Sequence, residues 1–195
     1  LEGISKLTRI DVSYAEELGY RIKHLGIARR TKDGIELRVH PTLIPQERLI
    51  ANVNGVKNAV LVQSDAVGST LYYGSGAGAG PTGSAIVADI VDIVRSLTVE
   101  NRCAVPHLAF QPDSLADTPI LSVEAIKTAY YLRLQANDKS GVLADVTRIL
   151  SDNDISIEAI LQKPLHEAGT VPVIILTKPV LEREMNRAIG SLEAL

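Results

Sequence analysis

From Tyr130 to Leu195 the hydrophobic period changes in a fixed order, and few folds accommodate that order. "AYYLRLQA", "ISIEAILQK" and "TVPVIILTK" read as strands, the second with clear alternation. "NDKSGVLADVTRILSDN" is a turn feeding a helix, with Val142, Val146, Ile149 and Leu150 as its apolar stripe. "PVLEREMNRAIGSLEAL" reads as a second helix, started by Pro179. The order β-α-β-β-α is a ferredoxin-like βαββαβ unit without its last strand. A first strand with an open edge is a pairing surface or an aggregation hazard.

The first half has different punctuation. "TRIDVSYAEELGY" opens with Thr8 and Asp11 in capping-box positions, and Gly19 is placed to end that helix. "RIKHLGIARR" and "GIELRVHPTL" read as strands joined at Lys32-Asp33-Gly34, and "QERLIANVNG" as a short helix closed by Asn54-Gly55. "KNAVLVQSDAVGSTLYYG" holds a second strand pair that turns at Asp65 to Gly68. A helix from Pro81 to about residue 97 carries Ile86, Ile90, Ile93 and Leu97 on one face. The fold class is therefore α+β: an antiparallel-sheet segment over 1–97, a proline-punctuated linker over 98–128, and the truncated ferredoxin-like unit over 129–195. The chain opens without methionine and stops straight after a helical pattern, so both ends read as cuts inside a larger fold.

With 46% hydrophobic and 22% charged residues in 195, the chain has the make-up of one large or two small globular domains. A net charge of -3, with no basic block beyond Arg29-Arg30, argues against a nucleic-acid surface. No apolar run approaches a membrane span and no signal peptide opens the chain. The single cysteine, Cys103, permits no internal disulfide and no cysteine-built metal site. His24, His40, His107 and His166 lack metal-ligand spacing, so no metal is expected. A cytoplasmic location is the expectation.

Gly78-Ala79-Gly80-Pro81-Thr82-Gly83 spells GxGxxG, the dinucleotide fingerprint. A true fingerprint also needs a second parallel strand and an acidic residue about 20 positions on. "TVENRCAVPHLAF" follows instead, and Glu100 ends no apolar strand. The spacing favours a tight strand-to-helix turn; free amides at a helix start still form an anion site in any fold.

The stretches "LEGISKLT", "ELGYRIKHLGIARR", "GIELRVHPTLIP", "VNGVKNAVLVQSDAVG" and "YYGSGAGAGPTGSAIVADIVDI" resemble, in that order, the end of the catalytic portion of homoserine dehydrogenase. Residues 130–195 resemble an ACT domain, an amino-acid sensor, through Asp138-Lys139-Ser140-Gly141-Val142-Leu143. The resemblance implies interconversion of L-homoserine and L-aspartate 4-semialdehyde with NADP or NAD, in threonine, methionine and isoleucine biosynthesis. It places the family's own fingerprint in an N-terminal Rossmann domain upstream of Leu1, and the late helix after the glycine turn packs there. Gly78 is the best match to a glycine that approaches the cofactor.

The family's acid/base lysine and its acidic helpers also precede the segment matching Leu1. No catalytic residue is carried over: Lys6, Lys23, Lys32 and Lys57 read as surface lysines. These 195 residues alone are expected to be inactive. His40 reads as a structural histidine bonded to backbone rather than a base, Asp65 as a turn former, and Tyr72-Tyr73 as packing within the sheet or at a subunit contact.

The resemblance puts an amino-acid effector, threonine by implication, where two ACT domains meet, which makes a homo-oligomer the expected partner. Amides of Gly141, Val142 and Leu143 are free to receive its carboxylate. Asp138 either holds its ammonium or caps the helix, and Ser156 is expected to contribute a hydroxyl from the same side. Two other readings compete. One is a non-catalytic amino-acid-binding module acting in trans. The other, a stand-alone nucleotide-binding enzyme built on 74–83, lacks the second strand and the acidic partner.

Overall fold

A computed structural model describes residues 1–98, 109–137, 139–162 and 170–195. Contacts divide the chain into two compact units, Leu1–Leu43 with Thr118–Leu195, and Ile44–Asp117.

The first unit starts with helix α1, Arg9–Glu17. Thr8 and Asp11 close the expected capping box, and Gly19 follows the helix at φ 80°. β1 (Tyr20–Arg30) and β2 (Ile35–Pro45, whose last residues enter the second unit) form a two-stranded sheet. Their turn is closed by the Thr31 N–H, which donates to the Gly34 carbonyl over 2.8 Å.

The second unit holds a short 3-10 helix over Leu49–Asn52, then β3 (Lys57–Ser64) and β4 (Gly68–Ser75), which pair antiparallel from Lys57↔Ser75 to Ser64↔Gly68. Helix α2, Ala79–Thr98, buries none of its residues. Its apolar stripe lies open, with Ile86 54% and Leu97 80% exposed.

In the first unit the chain resumes as extended structure. The segment expected to be a tether is built into the unit from Pro119 onward. Ile35 donates to the Pro119 carbonyl over 2.9 Å, Leu121 donates to the Ile35 carbonyl, and Ile120 bridges to Ile35 in parallel. A Cβ on Gly34 would meet the Pro119 oxygen at 2.4 Å, so only glycine fits the turn there. Prolines exclude a helix interior but not an edge pairing, which is why the sequence hid this docking.

β5 (Lys127–Thr128) leads into β6 (Tyr131–Asn137), α3 (Val142–Asp152), β7 (Ile157–Gln162), β8 (Thr170–Thr177), β9 (Val180–Leu181) and α4 (Glu182–Leu192). The three-stranded sheet runs β6-β8-β7, with both outer strands antiparallel to β8. The expected βαββα order holds, and β6 is an edge among the described residues. Pro179 does not start α4. Val180 and Leu181 first pair with Thr128 and Lys127 as β9, and the helix begins three residues beyond the proline.

Central β8 is buried over most of its length. Val173 and Ile175 pack with Val146, Leu150, Met185 and Ala188 in one core. Removing a side chain such as that of Leu150, which is fully buried, costs about 2–5 kcal/mol. Leu132 and Leu134 of β6 join that core, so alternation turns Tyr131 and Arg133 to the other face. There they meet α1.

Candidate functional site

The glycine turn lies in the second unit. β4 leads through it into α2, and Gly78 stands at φ 118°, a conformation that L side chains rarely adopt. The Gly78 carbonyl accepts the Thr82 N–H over 3.0 Å, and a Cβ at Gly78 would touch the Pro81 ring at 3.4 Å. A Cβ at Gly76 would fall 2.0 Å from the Asn58 side chain. The turn is thus bare and exposed backbone. Among the described residues β4 pairs with β3 alone, antiparallel, so the parallel partner of a Rossmann unit is not part of this turn.

The sensor candidates lie in the first unit. Gly141 precedes α3 at φ 96°, and Val142 and Leu143 are its first two helical residues. Among the described residues no side chain caps this helix start. The Val142 N–H leans toward the Lys139 carbonyl at 3.5 Å, a long contact that leaves the start of the helix accessible. Asp138 lies outside the described residues, as do Glu100, Cys103, His107 and His166.

Ser156 is a correction. It was expected on the same side as the α3 start, but strand register puts the two at opposite ends of β8. Asn137, before α3, pairs with Thr170, whereas Ile157, next to Ser156, pairs with Thr177. The Ser156 carbonyl accepts the Lys178 N–H over 2.8 Å at that far end. Seven strand steps separate the ends, roughly 24 Å. A single small ligand cannot touch Gly141 and Ser156 of one chain.

His40 Nδ1 donates to the Pro41 carbonyl over 2.8 Å. Asp65 accepts the N–H of Ala66 over 2.8 Å, as a turn former does. Tyr72 and Tyr73 are exposed, and the Lys57 ammonium sits 5.7 Å from the Tyr73 ring centre.

Composition and periodicity gave no signal for the buried junction around Asp11. Its carboxylate accepts the Thr8 N–H at 2.8 Å, the Thr8 hydroxyl at 2.7 Å and the Tyr131 hydroxyl at 2.8 Å. Arg133 Nε lies 2.7 Å away. Burial raises the Asp11 pKa, but the Thr8 and Tyr131 hydrogen bonds and the Arg133 charge outweigh it and hold the group below the usual carboxylate range. Burial first, and then the bond to Asp11, pushes the Tyr131 hydroxyl well above its ordinary value. Tyr130 is raised by burial and by its hydrogen bond to Glu182. The sequence shows Thr8 and Asp11 only as a helix cap; the use of the cap carboxylate by a strand 120 residues away has no local signature.

A family model described as homoserine dehydrogenase matches residues 1–91, and one described as ACT domain matches 130–194. The homoserine dehydrogenase of Pseudomonas aeruginosa is 64% identical over all 195 residues, which make up 45% of its length. That of Neisseria gonorrhoeae is 54% identical with the same coverage. A crystal structure of a homoserine dehydrogenase from Thiobacillus denitrificans superposes with a TM-score of 0.89 at 65% identity, covering 99% of this chain and 43% of the other. A homoserine dehydrogenase structure from S. aureus superposes with a TM-score of 0.62 at 25% identity, covering 96% of this chain and 44% of the other. The chain thus spans about half the length of the relatives it matches. It belongs to the homoserine dehydrogenase family, as that family's C-terminal region followed by an ACT domain.

Proposed function

We propose that this chain is the late catalytic and regulatory part of an NAD(P)-dependent homoserine dehydrogenase, interconverting L-homoserine and L-aspartate 4-semialdehyde under amino-acid feedback. The observation that carries the reading is the collinear match of 1–91 to the enzyme family and 130–194 to the ACT family in one chain. In this reading the segments 1–97, 98–128 and 129–195 are the enzyme part, the connector and the sensor.

A nicotinamide cofactor held by the complete protein would supply the hydride chemistry. This chain's part is to offer it the bare Gly78 turn, where a side chain would block approach. The exposed stripe of α2 supplies an apolar face for the rest of the protein to cover. The amides at the start of α3 receive the effector carboxylate, with threonine the effector first to be tried. Ser156, before β7 on the edge opposite to β6, takes no part in that contact. The β6 edge, unpaired among the described residues, is a surface for a second copy to cover, which supports a homo-oligomer. A cytoplasmic location belongs to the same reading; among the described residues no helix is long and apolar enough to cross a membrane.

The test is NAD(P)-linked homoserine oxidation by the complete natural polypeptide that contains these residues, with and without threonine. Turnover that threonine suppresses supports the reading. Threonine binding without any turnover transfers it to a non-catalytic sensor module.

A further inference from the structure

One face of β2 carries Glu36, Arg38, His40 and Thr42 in alternation, and this polar row points inward. Glu36 is 1% exposed and lies between two guanidinium groups: Arg29 donates to one oxygen, and Arg38 Nε lies 2.8 Å from the other. Both guanidinium groups share that one carboxylate. Arg38 Nη1 is buried and has no hydrogen-bond partner among the described residues. A buried, unpartnered charged donor is costly unless an acceptor meets it.

Two residues along, His40 presents the complementary case. Because Nδ1 donates to the Pro41 carbonyl, the neutral ring leaves Nε2 as an acceptor, and Nε2 is buried without a partner among the described residues. Arg38 and His40 both line a cavity of about 650 Å³ in the first unit, walled on its other side by the ACT segment. Tyr130 and Glu182 add a second acceptor carboxylate, and Ile22, Ile126 and Leu176 add apolar wall. A volume of that size suits a small metabolite.

We infer that this cavity is a site for a free α-amino acid with an apolar side chain, separate from the start of α3. Its carboxylate meets Arg38 Nη1, its ammonium meets the acceptors His40 Nε2 and Glu182, and its side chain lies along the apolar wall. A simple anion would satisfy Arg38 but not His40; a simple cation would do the reverse. None of Gly141, Val142 and Leu143 lines the cavity. A ligand here would touch the β1-β2 hairpin and the sensor sheet together.

The experiment is calorimetric titration of the complete natural polypeptide with each proteinogenic L-amino acid, and with acetate and methylammonium as single-charge probes. An apolar amino acid should bind, and Arg38→Gln should weaken it by about tenfold or more. Gly141→Val should leave that affinity in place. Arg38→Gln also strips a partner from Glu36, so Ala129→Leu supplies an independent variant. Ala129 is exposed and lines the cavity, and its enlargement narrows the space without touching the ion pairs. Ala129→Leu should also weaken binding. The inference is overturned if no apolar amino acid binds, if acetate alone binds as tightly, or if binding is lost in Gly141→Val and kept in Ala129→Leu. None of these outcomes depends on homoserine turnover, so failure of the enzyme reading is scored separately.

Discussion

Arg133 Nε lies 2.7 Å from Asp11 Oδ1, and that pair fastens the outer face of the sensor sheet to the first helix of the enzyme-like segment. The Tyr131 hydroxyl donates to the same oxygen, so two residues of β6 share one helix-cap carboxylate. A carboxylate that caps α1 and also holds β6 couples helix integrity to domain docking.

Asp11→Ala should therefore cost more than a helix cap. Loss of a cap costs about 1 kcal/mol. Loss of one partner of a buried pair costs about 3–5 kcal/mol, and partial exposure of Arg133 reduces that. We expect about 2–4 kcal/mol in denaturant unfolding, against about 1 kcal/mol for Thr8→Ala. Equal effects of the two substitutions would mean that the contact to β6 is energetically idle.

The same carboxylate sets an acid limit. Its folded pKa is depressed, so its contribution to stability is complete above the unfolded value near 3.8 and is lost as pH falls through the folded value. The unfolding midpoint should drop below about pH 4, and Asp11→Asn should flatten that part of the profile.

Tyr131 sets an alkaline limit of opposite sign. Its folded pKa is raised, so its contribution is present below the unfolded value near 10 and is lost as pH rises towards the folded value. Ultraviolet titration should show a late component from Tyr130 and Tyr131, and Tyr131→Phe should reduce it while leaving the Tyr130 part in place.

Gly78→Ala forces a Cβ into a positive-φ position beside Pro81. The strain is about 1–3 kcal/mol. In the complete polypeptide we expect NADPH affinity, followed by nucleotide fluorescence, to fall about tenfold or more. Unchanged affinity would remove Gly78 from the cofactor's path.

Ile90 is 54% exposed on α2, where a charge should cost little if the helix stays in solvent. If the rest of the protein covers the stripe, Ile90→Asp should destabilise the complete polypeptide by about 2–4 kcal/mol. Thermal unfolding separates the two cases.

Much of this architecture was legible locally. The Thr8-Asp11 box, the turns at Gly34 and Gly68, and the period changes after Tyr130 each specify their elements through contacts within a few residues. The start of α4 was misplaced because Val180 and Leu181 answer to Thr128 and Lys127, some 50 residues earlier, rather than to Pro179 beside them. Ser156 was misplaced for a related reason: spacing along the chain does not say which end of β8 a strand meets.

The sequence by itself determined the elements, their order and the family, because propensity, capping and hydrophobic period act over a few residues. Tertiary structure alone decided that Asp11 serves β6, that Pro119 docks on Gly34, and that Arg38 and His40 turn a polar row inward. Those outcomes depend on hydrogen bonds and ion pairs between segments about 80 to 120 residues apart, or on which face of a strand the rest of the fold covers.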